Sequence, residues 1–324
     1  MTKQVPLANH LENCSSIVFG CMGLGGGWDQ NPINKEDLKV AHNAIDAALE
    51  SGINLFDHAD IYTFGKAEQV FGKVLTERSE LRQQIFLQSK CGIRFADSSG
   101  PKRYDFSSTW IMDSVDNSLA RLGIEQLDVL LLHRPDPLMA PDEIAKTFDK
   151  LQSAGKVNHF GVSNMSAPQM SLLQSATQQP LVCNQLEISL SKLDWLEQNV
   201  VANTAGIPTS NFVAGTVEYC QLNRAQLQAW GCLSQGLFTG KNIQPEACHI
   251  QRTADLVKQL AAEYQTSPEA IVLAFIMRHP AQIQPVIGST NSERIKACSA
   301  AADINLSREH WYQLYVSARD QELP

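Results

Sequence analysis

No apolar run in this sequence approaches the roughly 20 consecutive residues that a membrane span needs. Its first residues, Met1-Thr2-Lys3-Gln4-Val5, open no signal-peptide pattern. The eight cysteines are scattered, without a C-x-x-C pair or a Cys/His ligand spacing. Neither a disulfide scaffold nor a metal site is therefore expected, and free thiols fit a reducing cytoplasm. Positive charge is scarce: the formal net charge is -8, which argues against non-specific binding to nucleic acid or anionic lipid. An anionic ligand would need a local basic patch. The glycine run at 23–27 lacks the G-x-G-x-x-G spacing, so it is no dinucleotide fingerprint. It reads as a flexible loop, with Trp28 reaching towards a pocket.

What is present is a rhythm. The chain has 324 residues and is 44% hydrophobic, enough for one large barrel or two ordinary domains. Short apolar runs at 17–19, 53–57, 84–90, 127–133, 157–162, 181–185, 227–230 and 284–287 read as strands. Segments of helical period follow at 34–49, 67–77, 107–122, 142–153, 167–176, 252–264, 268–278 and 292–301. A long irregular segment lies between Gln185 and Leu227, and an extra helix at 307–318 packs outside. No linker divides the chain. Eight strands nearly all separated by helices predict a single (β/α)8 TIM barrel over residues 1–324, with a doubly wound open sheet as the alternative.

The strands end on unusual residues: Gly20-Cys21, Asp57, Lys90, His133, Ser163-Asn164, Gln185, Trp230 and Gly288-Ser289. Each has a dull explanation taken alone, as a cap, a solvated strand end or a packed ring. In a barrel all of them share one face, where active sites of this fold lie. Tyr62 follows Asp57 by five positions. A tyrosine ordinarily titrates near 10, so Lys90 beside it is expected to lower that value, with Asp57 holding the lysine. His133 can donate to a carbonyl oxygen. An acid beside such a donor suits carbonyl reduction, and the hydride has to come from a cofactor. Ser163, Asn164 and Gln185 can hydrogen-bond a carboxamide, and Trp230 offers a face for a nicotinamide ring. The loop Gly288-Ser289-Thr290 leads into a helix N-terminus, an anion site, with Arg294 one turn in.

With these residues the chain resembles the aldo-keto reductase family, over roughly residues 15–305. The most specific stretches are Phe56-Asp57-His58-Ala59-Asp60-Ile61-Tyr62, Ser89-Lys90, Leu131-Leu132-His133-Arg134-Pro135-Asp136, Gly161-Val162-Ser163-Asn164 and Asn184-Gln185. The resemblance implies a catalytic tetrad of Asp57, Tyr62, Lys90 and His133. It implies carboxamide binding by Ser163, Asn164 and Gln185, ring stacking by Trp230, and an adenosine-phosphate segment from Gly288 to Arg294. The resemblance also implies that Gly20, Cys21 and Met22 after the first strand belong to the cofactor site, as do Gly231, Cys232 and Leu233. The implied cofactor is NADPH/NADP+ rather than NADH, bound without a Rossmann domain. The implied partner is a small-molecule carbonyl substrate, acted on by a cytoplasmic enzyme, with a monomer favoured.

Three departures stand out. Gly288 replaces a lysine that touches the ribose phosphate in many members. Gly231-Cys232-Leu233 replaces Ser-Pro-Leu, removing one hydroxyl on the pyrophosphate side. Residues 197–213 look like a loop insertion. Two competing readings remain. One is a cofactor-bound regulatory or subunit-like protein, as the related potassium-channel β-subunits illustrate. The other is a metal hydrolase using His58, Asp60 and His133. It is disfavoured because His58 and Asp57 should face opposite ways and no ligand-spaced pair exists.

Overall fold

The structure is a computed structural model and describes residues 5–202, 212–241 and 248–324. In chain order the elements are β1 (Val18–Gly20), α1 (Lys35–Glu50), β2 (Leu55–Asp57), α2 (Lys66–Glu77) and β3 (Phe86–Cys91). The short strands β4 (Ile93–Arg94) and β5 (Arg103–Tyr104) follow, then α3 (Ser108–Leu122), β6 (Leu127–Leu132), α4 (Pro141–Ser153) and β7 (Val157–Ser163). Next come α5 (Ala167–Ala176), β8 (Leu181–Glu187), α6 (Asp194–Val200), α7 (Thr216–Leu222) and β9 (Gln226–Trp230). The last are α8 (Cys248–Glu263), α9 (Pro268–Met277), β10 (Gln284–Ile287), α10 (Ser292–Ser299) and α11 (Arg308–Arg319).

Eight parallel strands close into a barrel in the order β1-β2-β3-β6-β7-β8-β9-β10. This is the (β/α)8 architecture that the alternating pattern predicts. Local chemistry supports several helix starts. Asn34 and Asp37 form a capping box on α1, Ser107 caps α3, and Ser267 caps α9 ahead of Pro268. Closure is tight at β1. A Cβ on Gly20 would stand 3.1 Å from both Ile287 O and Val286 Cγ1, so a larger residue would have to push the seam apart.

The structure departs from the sequence expectations in four places. The segment before β1 forms a 3-10 turn, Pro6–Asn9. Its Leu7, with Leu11 and Cys14, packs against Val18, Leu55, Val129, Leu131, Val182 and Val286 inside the barrel. The strands β4 and β5 form an antiparallel pair after β3, each too short to show a period in sequence. The segment between Gln185 and Leu227 is not wholly irregular, since it holds α6 and α7. Of the stretch 197–213, residues 197–200 belong to α6, and Glu197 pairs with Arg319 of α11 at 2.9 Å. Residues 203–211 lie outside the described residues.

Candidate active site

Strand ends decide the site. Asp57 closes β2, Lys90 sits near the end of β3, and His133 directly follows β6. The Lys90 ammonium is fully buried and donates to three oxygens. These are Asp57 Oδ2 at 2.6 Å, His58 O at 2.9 Å and Tyr62 OH at 2.9 Å. Burial alone would lower the Lys90 pKa, but Asp57 and then Tyr62 outweigh it and hold the ammonium above its ordinary value.

Tyr62 is a correction. Lys90 does act to lower the phenol, as the sequence predicts. Burial acts the other way and is larger, and Asp57 adds to it, so the phenol lies above its ordinary value. At neutral pH the phenol is therefore protonated. The backbone beyond it is held in an unusual form. Thr63 and Phe64 have φ of 47° and 58°, and a β-branched residue there is an outlier. Thr63 Oγ1 donates to Leu24 O at 3.0 Å, tying this turn to the loop after β1. That loop is anchored rather than free: Lys66 Nζ holds Asp29 Oδ1 at 2.9 Å and Asn31 O at 3.2 Å.

His133 lies edge-on to the Tyr62 ring, centroids 6.1 Å apart. Burial, with help from Lys90 and Arg134, holds its pKa well below the usual value, so the ring is neutral. Its Nδ1 is buried without a partner. An unpaired buried acceptor is tolerated better than an unpaired N–H, which places the proton on Nε2.

The second group of residues forms one connected network. Ser163 Oγ donates to Gln185 O at 2.8 Å. Asn164 Nδ2 donates to Ser163 Oγ at 2.8 Å and to His133 O at 3.2 Å. Trp230 Nε1 donates to Asn164 Oδ1 at 3.1 Å, pinning the indole by its edge. Asn164 adopts φ 59° to do this, a conformation that asparagine tolerates. The Asn164 amide thus has both Nδ2 hydrogens engaged within the protein, while its Oδ1 accepts one bond and keeps a second acceptor position. Gln185 ties its Nε2 to Gln228 Oε1 at 3.0 Å, which leaves its Oε1 as the other end of the amide.

The remaining residues surround this centre. Met22 is exposed, while the Cys21 and Cys232 thiols are buried; Cys232 donates to Val286 O at 3.3 Å. Burial raises the Cys232 thiol to about 12. Gly231 is exposed with φ 67°, and Leu233 packs on the core. Nothing stands within 4 Å of where a Gly288 Cβ would be. Ser289 and Thr290 are half-buried and Arg294 is exposed in the first turn of α10. Open space at Gly288, a helix start and a guanidinium fit a phosphate, and the Gln185 amide oxygen fits a carboxamide N–H. His58 instead packs edge-on against Phe71, both ring nitrogens unpartnered. No group of three or more His, Cys, Asp or Glu that could hold a metal occurs among the described residues.

Sequence reasoning missed Gln88 and Gln228, which contact Asp57 and Gln185. A signal was present: each lies two residues before a site residue, Lys90 or Trp230, and so on the same strand face. It also missed the rim formed by Trp28, Phe64 and Phe95, whose ring centroids lie 5.6 and 5.3 Å apart in turn.

The Aldo/keto reductase family model matches residues 16–315. A 6-dehydroglucose reductase of Agrobacterium fabrum is 34% identical, aligning with 99% of this chain and 99% of its own. The oxidoreductase YdhF of Escherichia coli is 34% identical over 86% of this chain and 88% of its own. Among solved structures, the glycerol dehydrogenase of Gluconobacter oxydans has a TM-score of 0.77 at 22% identity, covering 95% of this chain and 92% of that one. An aldo-keto reductase of Klebsiella pneumoniae in complex with NADPH has a TM-score of 0.69 at 22% identity, covering 93% and 90%. At such identities the likeness to these structures speaks for the fold alone.

Proposed function

Because this chain belongs to the aldo/keto reductase family, we propose that it reduces an aldehyde or ketone to the alcohol with NADPH, Tyr62 giving the proton. The observation that carries this reading is the Lys90 ammonium. Its three N–H bonds go to Asp57, His58 O and Tyr62 OH, so the phenol oxygen accepts and its own hydrogen is left to donate. NADPH, when bound, supplies the hydride. The neutral His133 donates from Nε2 to the carbonyl oxygen and stabilises the charge that develops there. Tyr62 passes its proton to that oxygen. The phenolate left behind sits 2.9 Å from the ammonium, which lowers the cost of forming it.

Gln185 Oε1 and the Ser163–Asn164 pair would hold the carboxamide, and Trp230 would lie against the nicotinamide ring. Gly288, Ser289, Thr290 and Arg294 would take the adenosine phosphate. Gly288 leaves recognition of the 2′-phosphate to Arg294, whose planar guanidinium suits it. An intact set of four polar residues favours catalysis over a purely regulatory role.

The rim of Trp28, Phe64 and Phe95 favours substrates with an apolar part, and 6-dehydroglucose belongs in the panel because a relative is named for it. Tyr62→Phe is expected to reduce turnover of the best substrate by a factor of about 10²–10⁴, with NADPH affinity nearly intact. Near-full turnover in this variant would remove Tyr62 as the proton donor.

A further inference from the structure

Four buried glutamines form one hydrogen-bonded chain inside the barrel: Gln88 on β3, Gln185 on β8, Gln228 on β9 and Gln284 on β10, none more than 2% exposed. A buried amide is costly unless its ends are met, and each could point either way. The two ends of the chain decide the direction. At the lower end Gln284 Nε2 lies 2.6 Å from Ser15 O, which can only accept. Gln284 Oε1 therefore faces upward and accepts from Gln228 Nε2 at 2.9 Å. Gln228 in turn presents its Oε1 to the upper end. There it accepts from Gln88 Nε2 at 2.9 Å and from Gln185 Nε2 at 3.0 Å.

The upper end gives the same answer independently. Gln88 Nε2 also donates to Asp57 Oδ1 at 2.6 Å, while Lys90 takes Oδ2. Reversing Gln88 would set its amide oxygen against the carboxylate. The observed direction leaves Gln88 Oε1 buried without a donor, one unmet acceptor instead of two facing each other.

We propose that Gln228 is a positioning residue: through one amide oxygen it fixes the Gln185 amide towards the cofactor and, through Gln88, the Asp57 carboxylate towards Lys90. The proposal rests on the reading of Gln185 as a carboxamide-binding residue. It adds that the cofactor contact and the Lys90–Asp57 pair are held in register by one buried atom, itself oriented from the opposite end of the barrel.

The test is NADPH binding without substrate, followed by its fluorescence, in wild type, Gln228→Met, Gln185→Met and the double variant. Gln228→Met has nearly the same volume and no hydrogen bond, and is expected to weaken NADPH by about tenfold. In the Gln185→Met background the same change should add little, because its route has gone. Wild-type affinity in Gln228→Met, or losses that multiply independently in the double variant, would overturn the proposal. A wild type that does not bind NADPH defeats the proposed function instead. The chain is then tested on the unliganded protein by the 15N side-chain amide signals of Gln88 and Gln185. Both should move in Gln228→Met and in Gln284→Met, and signals that stay in place overturn the proposal. If Gln228→Met does not fold, Gln284→Met carries the same comparison, since it removes the acceptor that orients Gln228 from below.

Discussion

Lys90 shows how one side chain can set the state of its neighbours. Its ammonium has three hydrogens and three acceptors, so each hydrogen has a partner and the group is fixed in rotation. The charge that it projects falls on three rings. It favours the Tyr62 phenolate, though less than burial opposes it, and it disfavours a charged His133. It also acts on His58, where burial is the larger cause and the pKa falls to about 3. That has a consequence for stability. In the unfolded chain a histidine binds its proton near 6.5, whereas folded His58 does not until about 3. Between those values the unfolded state holds the extra proton, so stability falls as pH drops below 6.5. One such group contributes a slope of up to about 1.4 kcal/mol per pH unit. His58→Leu keeps the backbone carbonyl that Lys90 uses and removes this titration. Urea midpoints between pH 6.5 and 5, above the carboxylate range, should fall less steeply in the variant. Equal slopes would mean that His58 is not held neutral by the fold.

The elements around the barrel are joined by a second buried charge. Glu68 on α2 is fully buried, accepts from Ser89 Oγ of β3 at 2.7 Å, and pairs with Arg121 Nε of α3 at 2.7 Å. The helices meet closely because Gly72 has no side chain: a Cβ there would stand 2.2 Å from Arg121 O. Removing the guanidinium leaves a carboxylate without a counter-charge in the core, which typically costs about 3–5 kcal/mol. Arg121→Met should lose stability on that scale in urea unfolding. Adding Glu68→Gln, which keeps the acceptor for Ser89 and removes the charge, should recover part of the loss. A double variant no more stable than Arg121→Met would show that the buried charge is not the cause.

At this scale the sequence was informative where periods were long. The run 127–133 and the helical stretch 107–122 map directly onto β6 and α3, because five or more residues of one pattern outweigh local noise. Two-residue strands such as Ile93–Arg94 carry no period, and Pro6–Asn9 has none to show. The four candidate residues Asp57, Tyr62, Lys90 and His133 were legible as polar breaks in or after apolar runs. Their electrostatics were not: Tyr62 carries the opposite net shift from the one expected, because burial is a property of the whole fold. Gln88 and Gln228 were hidden for a related reason, since a glutamine within a strand ordinarily marks the solvent face.

The molecule as a whole divides its labour along the barrel axis. Tyr62, His133, Ser163 and Trp230 gather at the carboxyl ends of the strands, where this fold builds its sites. The amino ends are closed by the segment before β1, whose Leu7 is fully buried among Val18, Leu55, Val129 and Val182. Its backbone N–H is met by Gln226 Oε1 at 3.3 Å. A plug of this kind contributes packing and takes no part in the chemistry, so the two should separate by mutation. Leu7→Ala removes the side chain from a filled interior and is expected to cost about 2–5 kcal/mol. It leaves the chain in place, including the Ser15 carbonyl that receives Gln284 Nε2. The variant should therefore melt at a lower temperature, while KM for substrate and cofactor, measured well below that melt, stay at wild-type values. A shift in KM for NADPH would mean that the barrel floor reaches the site through packing as well as through the Ser15 carbonyl. An unchanged melting temperature would mean that the N-terminal segment does not hold the barrel closed.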